Sequence, residues 1–109
     1  MAEIENFHAH IYFDAHEIET ARALAEEARK RFGVAVGRFH ERPVGPHPRG
    51  SCQLTVAPEA FGELALWAAL SRRGLTLFVH PTTGDEIADH TEHAIWFGQS
   101  ESLDLSVLT

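Results

Sequence analysis

Between residues 7 and 14 apolar and polar side chains alternate without a break. Phe7, Ala9, Ile11 and Phe13 fall on one side, and His8, His10, Tyr12 and Asp14 on the other. A period of two predicts a strand with one greasy face and one chemical face, and so a sheet that is covered on one side only. The period then changes. From residue 16 to residue 32, Ile18, Ala21, Leu24, Ala25, Ala28 and Phe32 form an apolar stripe at helical spacing, with Asp14 and Glu17 placed as a capping box and Gly33 as the stop.

The rest of the chain repeats this grammar. A second strand is expected over residues 34–41, before residues 42–49, Arg-Pro-Val-Gly-Pro-His-Pro-Arg, break regular structure with three prolines and a glycine. A third strand over 51–56 leads to Pro58 at a first helical position. Phe61, Leu64, Ala65, Ala68 and Ala69 then supply a second stripe, which Gly74 ends. Residues 75–80 read as a fourth strand, interrupted by Pro81 and the turn-like Thr82-Thr-Gly-Asp85. The resulting order is βαββαβ. It predicts an α+β, ferredoxin-like fold: a four-stranded antiparallel sheet with two helices on one face, plus a C-terminal extension. In that topology the first and fourth strands are neighbours, so His8, His10 and Tyr12 lie beside Thr76, Phe78 and His80 on the open face. The same alternation adds Arg38, His40, Ser51, Gln53 and Thr55 to that face.

An open face in so short a chain needs a cover. Either the tail from His90 through Trp96 to Leu108 or a second copy of the chain can supply it, and a homodimer is the expectation. Within the tail, Leu103-Asp-Leu-Ser-Val107 alternates like an additional strand. At 109 residues, 44% hydrophobic and 23% charged, the chain suits one domain, residues 1–109, around one core. Sixteen acidic against nine basic residues give a net charge of -7, which argues against nucleic acid as a partner. The opening Met1-Ala-Glu-Ile-Glu5 has no basic region and no leader-like apolar stretch, and no apolar run suits a bilayer. A soluble cytoplasmic protein without a membrane partner is expected. The single cysteine, Cys52, has no partner for a disulfide or a CxxC site and reads as a small buried hydrophobe.

Against this ordinary background stand eight histidines. Imidazole is the commonest metal ligand and the usual acid or base near neutral pH. His8 and His10 share one side of a strand, roughly 6 to 7 Å apart at the backbone, a span that can converge on one ion. Alone, an HxH pair is as well explained by a solvated strand face. His80 ends another strand on the same face, and His47 sits in a proline-stiffened loop able to reach over it. Three or four neutral imidazoles with room for water and substrate suit Fe(II), Zn(II) or Mn(II). His90 is a candidate for proton transfer, although the acidic residues around it also fit a solvated turn. His16, His40 and His93 need no special role. Arg38, Arg42 and Arg49 bracket the histidine loop, and a guanidinium there can hold a substrate carboxylate. Tyr12 and Gln53 can bond ring hydroxyls, with Phe78 or Trp96 as a stacking surface.

Three stretches together resemble the DOPA 4,5-dioxygenase family. They are His8-Ala-His-Ile-Tyr-Phe13, Arg42-Pro-Val-Gly-Pro-His-Pro48, and Leu77-Phe-Val-His-Pro-Thr-Thr-Gly-Asp85 followed by Asp89-His90 and Ala94-Ile-Trp-Phe-Gly98. The resemblance runs over nearly the whole chain. It implies extradiol cleavage of a catechol such as 3,4-dihydroxyphenylalanine, with O2 as co-substrate and a non-haem metal, Fe(II) before Zn(II) or Mn(II). Carried over by motif, His8, His10, His47 and His80 are the metal-site candidates, with His8, His47 and His90 as catalytic candidates and Arg42, Arg49, Tyr12 and Gln53 as substrate-binding ones. Two other classes compete: a ferredoxin-like dimer that binds a metal or an aromatic ligand without turnover, and an interaction module whose histidines are incidental.

Overall fold

The computed structural model describes residues 3–109. In chain order it holds β1 (Phe7–Phe13), α1 (Ile18–Phe32), β2 (Ala35–His40), β3 (Gly50–Val56), α2 (Pro58–Ser71), β4 (Thr76–Pro81), a short α3 (Glu86–His90) and β5 (Ile95–Phe97). The βαββαβ order stands, and the sheet is antiparallel with strand order β2-β3-β1-β4-β5.

Local chemistry sets the boundaries. The Glu17 carboxylate accepts the Asp14 N–H at 2.9 Å ahead of α1, with a 3-10 turn, Ala15–Glu17, leading into the helix. Gly33, at φ 68°, closes the helix by donating its N–H to the Arg29 carbonyl. That left-handed conformation is one a side chain would strain. Pro58 opens α2 at a position where a missing N–H costs nothing.

Parity along the strands divides the sheet. Ala9, Ile11 and Phe13 of β1, Cys52, Leu54 and Val56 of β3, and Leu77 and Val79 of β4 form the core with Ala21, Leu24, Ala25 and Ala28 of α1 and Leu64 and Ala68 of α2. Both helices therefore cover one face, as the stripes predict. The register puts His8 opposite His80 and Thr55, His10 opposite Phe78 and Gln53, and Tyr12 opposite Thr76 and Ser51. Opposed residues point the same way, so these side chains share the face away from the helices.

The extension departs from expectation. The added strand is β5, which pairs Ile95 with Val79, Trp96 with Phe78 and Phe97 with Leu77, so the sheet has five strands rather than four. The alternating stretch 103–107 is not a strand. Asp104 accepts hydrogen bonds from both the backbone N–H and the hydroxyl of Ser106, and this turn chemistry winds Leu105–Leu108 into a 3-10 helix. Pro81, expected to interrupt β4, is its last residue and lies beyond Val79, where pairing to β5 ends. The tail does partly cover the open face: the Asp104 N–H donates to the Pro46 carbonyl at 2.9 Å, and Leu108 reaches the rim of the cleft described below.

Candidate functional site

A cavity of about 560 Å³ opens on the uncovered face, with His8, His10, His47, Gln53, His80, Asp89 and His90 in its walls. Three elements and a loop build it: β1 supplies His8 and His10, β4 supplies His80, α3 supplies His90, and the loop between β2 and β3 lays His47 over His10. The ring centroids of His8, His10 and His80 stand 6.0, 5.2 and 5.2 Å apart in pairs. One nitrogen from each of the three lies within 4.8 Å of the other two. Among the described residues this is the group able to hold a metal ion. His47 lies outside it, its ring 4.1 Å from that of His10, and the His90 ring lies 4.0 Å from that of His80, tilted against it, on the other flank.

Hydrogen bonds distinguish these rings. His80 Nδ1 faces the Pro81 carbonyl at 2.9 Å and His90 Nδ1 faces the Glu86 carbonyl at 2.7 Å. A carbonyl only accepts, so each Nδ1 carries the proton and each Nε2 presents a lone pair. His10 Nε2 lies 3.2 Å from His80 Nε2, so with the His80 nitrogen unprotonated the His10 Nε2–H donates to it, and the two nitrogens stand close enough to share one ion. His47 is held differently, its Nδ1 lying 2.8 Å from the Tyr12 hydroxyl. Tyr12 is fully buried, and burial followed by the nearby Glu101 charge pushes its phenol pKa up, so it stays protonated. A phenol donating to Nδ1 leaves the proton of a neutral His47 on Nε2.

The rings favour the neutral form. Burial, joined by His90 and other neighbouring imidazoles, lowers the His47 and His80 pKa values to about 4. Burial and then His47 and His80 push His10 well below its ordinary value, while burial and then His90 lower His8. Neutral nitrogen donors, with no thiolate on this face, fit a borderline divalent ion, and a carbonyl behind His80 is the outer support a metal-bound imidazole requires.

Phe78 and Trp96 pack behind the histidines, with centroids 4.6 Å apart and His10 stacked at 5.6 Å on Phe78, but Phe78 is fully buried and neither ring is among those that line the cleft, so the stacking surface expected of them is not open to a ligand. Gln53 lines the cleft and donates to Thr55 Oγ1 at 3.3 Å. The residues expected to meet substrate are otherwise scattered. Tyr12 spends its hydroxyl on His47. Arg49 makes a two-pronged pair with Glu101, at 3.0 and 2.7 Å, and pairs with Asp14 at 3.2 Å, its guanidinium 5.8 Å from the Tyr12 ring centre. Arg42 is exposed on the loop and is not among the residues that line the cleft. Asp89, one of the acidic residues beside His90, is buried rather than part of a solvated turn. It accepts from the Thr83 N–H at 2.8 Å and the Thr83 hydroxyl at 2.6 Å, fixing the loop between His80 and His90. The Thr-Thr-Gly-Asp turn signal gave no hint of that bond.

The chain is 37% identical to an uncharacterized 21.2 kDa protein of Botryotinia fuckeliana, over 94% of this chain and 62% of that one. It is 33% identical to a DOPA 4,5-dioxygenase of Amanita muscaria, over 98% and 51% respectively. It thus spans about half to two-thirds of the length of these curated relatives. A Nostoc punctiforme protein of known crystal structure, provisionally described as a dioxygenase, superposes with a TM-score of 0.93 at 40% identity, covering 96% of this chain and 91% of that one. The model of the Dopa 4,5-dioxygenase family matches residues 7–107, from the HxH strand to the tail that closes on the histidine loop, and the chain belongs to that family.

Proposed function

We propose that the protein is a metal-dependent extradiol dioxygenase that opens the ring of a catechol, such as 3,4-dihydroxyphenylalanine, with O2. The observation that carries this reading is the grouping of one nitrogen each from His8, His10 and His80 at the wall of a cleft large enough for a small ring. Those three residues are the proposed ligands, of Fe(II) before Zn(II) or Mn(II). The chemistry such an ion supplies when bound is the activation of dioxygen beside the ring.

The remaining work falls to the chain. Phe78 stacks behind His10 and, with Trp96, backs the histidine face rather than meeting the substrate ring. His90, with Nδ1–H tied to the Glu86 carbonyl, turns a bare Nε2 to the cleft and is placed to take a hydroxyl proton. His47, held by Tyr12, offers an Nε2–H as a hydrogen-bond donor to a developing negative charge on oxygen. On this reading Tyr12 positions a catalytic histidine rather than binding substrate. Gln53 remains a substrate-binding candidate, and Arg42 and Arg49 remain so only if their side chains swing from the places they now occupy.

The proposal extends to the setting of the protein. We take residues 1–109 as one functional domain, at work in the cytoplasm, where a single buried cysteine is at home. Among the described residues no helix is long and apolar enough to cross a membrane. A homodimer is part of the proposal, supported by Leu66 and Leu70 standing 76% and 93% exposed on α2, and sedimentation of the full chain checks it.

Anaerobic reconstitution with Fe(II), followed by O2 and a panel of catechols, tests the central claim. A ring-opened product that requires both metal and O2 is expected. Absence of such a product from every catechol would sink it, and stoichiometric metal without turnover would favour a binding protein instead.

A further inference from the structure

A second cavity, of about 250 Å³, lies on the other side of His47 and is lined by Arg38, His40, Val44 and Ser51. It shares His10, His47 and Gln53 with the larger cleft, so the two are adjoining chambers with His47 at their boundary. The smaller one exists because β2 is irregular. Val36 pairs with Leu54 and Phe39 with Cys52, both on the helix-covered face, although three positions along a strand should face opposite ways. The register shift between Val36 and Phe39 resolves the conflict. It sets both Gly37 and Arg38 against Gln53 and leaves Arg38 and His40 facing the open side. Gly37 suits that position: a Cβ would lie 3.0 Å from the Gln53 carbonyl oxygen, a tight contact with backbone.

Charge gives this chamber its meaning. The larger cleft is walled by Glu5, Glu86 and Asp89, which repel an anionic substituent. Arg49 is saturated by Glu101 and Asp14. Among the described residues Arg38 forms no ion pair. It is the guanidinium that lines either chamber.

We propose that the Arg38 chamber is an anion subsite that takes the side-chain carboxylate of a ring-bearing substrate whose aromatic end lies in the histidine cleft. The inference rests on the proposed catechol reading and assigns, within it, the residue that would read a side-chain carboxylate. Arg38 is the counter-ion, with Ser51 and Gln53 as neutral neighbours; the carboxylate, not the ring, then sets which end of the substrate enters first.

The test is calorimetric binding to the metal-loaded full chain without O2, using 3-(3,4-dihydroxyphenyl)propionate and 4-ethylcatechol, which differ only in the carboxylate. The expected result is a preference for the acid of about 10-fold or more, collapsing toward parity in Arg38→Gln and partly retained in Arg38→Lys. Equal affinity in the unmodified protein, no binding of either probe, or a preference that survives Arg38→Gln but falls in Arg42→Gln or Arg49→Gln would overturn it. Because binding is read without turnover, a preference that depends on Arg38 in a protein that opens no ring would keep the subsite and discard the dioxygenase reading.

Discussion

The two faces of the sheet are made from the same strands, one residue out of step, and they obey different rules. On the covered face Ala9, Ile11, Cys52, Leu54, Leu77 and Val79 are all 2% exposed or less and belong to one apolar cluster with α1 and α2. On the open face His10, Tyr12, Phe78 and His80 are almost as buried, yet each imidazole or hydroxyl among them has a specific partner. Burial alone therefore does not separate core from site. What separates them is whether the buried groups are satisfied by packing or by directed bonds that leave a lone pair or a proton pointing into a cavity. The first kind stabilises; the second costs stability and prepares chemistry.

The largest effect expected from breaking this contrast is on the covered face. Leu77→Ala removes a fully buried side chain where the sheet meets the helices and should cost about 2–5 kcal/mol, a large share of a small domain's stability. Urea unfolding followed by circular dichroism measures it, and a cost under about 1 kcal/mol would mean that the covered face is not the core. On the open face His10→Ala should do the reverse. Metal affinity should fall more than about 100-fold with loss of all metal-dependent activity, while the metal-free protein unfolds at a similar urea concentration. Metal content by mass spectrometry beside the same unfolding curve decides this, and full metal retention would remove His10 from the proposed ligand set.

The contrast was legible in the sequence to the extent that it depends on strand period. His8, His10 and His80 share a face because alternation admits no other arrangement once the apolar residues of β1 and β4 turn to the helices. Lone pairs and partners depend on contacts that period does not encode. His80 and His90 are oriented by backbone carbonyls, which every residue has. Glu101, which captures Arg49, lies 52 positions away. β5 is three residues long, too short to show an alternation, whereas residues 103–107 do alternate but are governed by the Asp104 turn. The register shift in β2 likewise leaves no mark in composition beyond Gly37.

Tyr12 sits where the faces come closest in character, since it is as buried as Ile11 beside it but bonds to His47. Tyr12→Phe keeps the ring and deletes the bond. Turnover should fall about 10- to 100-fold with metal content unchanged, because a His47 ring freed to change tautomer no longer holds Nε2–H toward the cleft. Nitrogen NMR of the metal-free protein should show His47 protonated at Nε2 before the change and mixed after it. A pure Nδ1–H form before the change would refute the assignment.

Acid sharpens the comparison without a mutation. His47 and His80 have folded-state pKa values near 4 against 6.5 when unfolded, because burial disfavours the charged form. The unfolded chain therefore binds more protons between those limits. Stability of the metal-free protein should be full above pH 6.5, decline as pH falls from 6.5 toward 4, and level off in this respect below 4. The half-buried position of the His47 ring moderates its share of the effect. Unfolding midpoints measured across that window check the slope, and His47→Gln should flatten it. A slope that leaves the variant and the parent parallel would place the titration elsewhere.

The smallest change should come from Cys52. It faces Ile11 across the strand pair, on the covered side, with its sulfur 3.6 Å from the Gly37 carbonyl. Burial raises its thiol pKa to about 11, so at neutral pH the group is a protonated thiol with neither nucleophilic nor ligand character. Cys52→Ala removes one sulfur from a packed layer, at an expected cost of about 1 kcal/mol, and leaves metal content and catechol turnover as they were. Because Gln53, the next residue, lines both chambers, this variant also measures how independent the two faces are. If turnover drops several-fold while stability barely changes, packing on the covered side sets the geometry of the histidine face through the strand itself. The contrast between the faces would then be one of chemistry but not of mechanics.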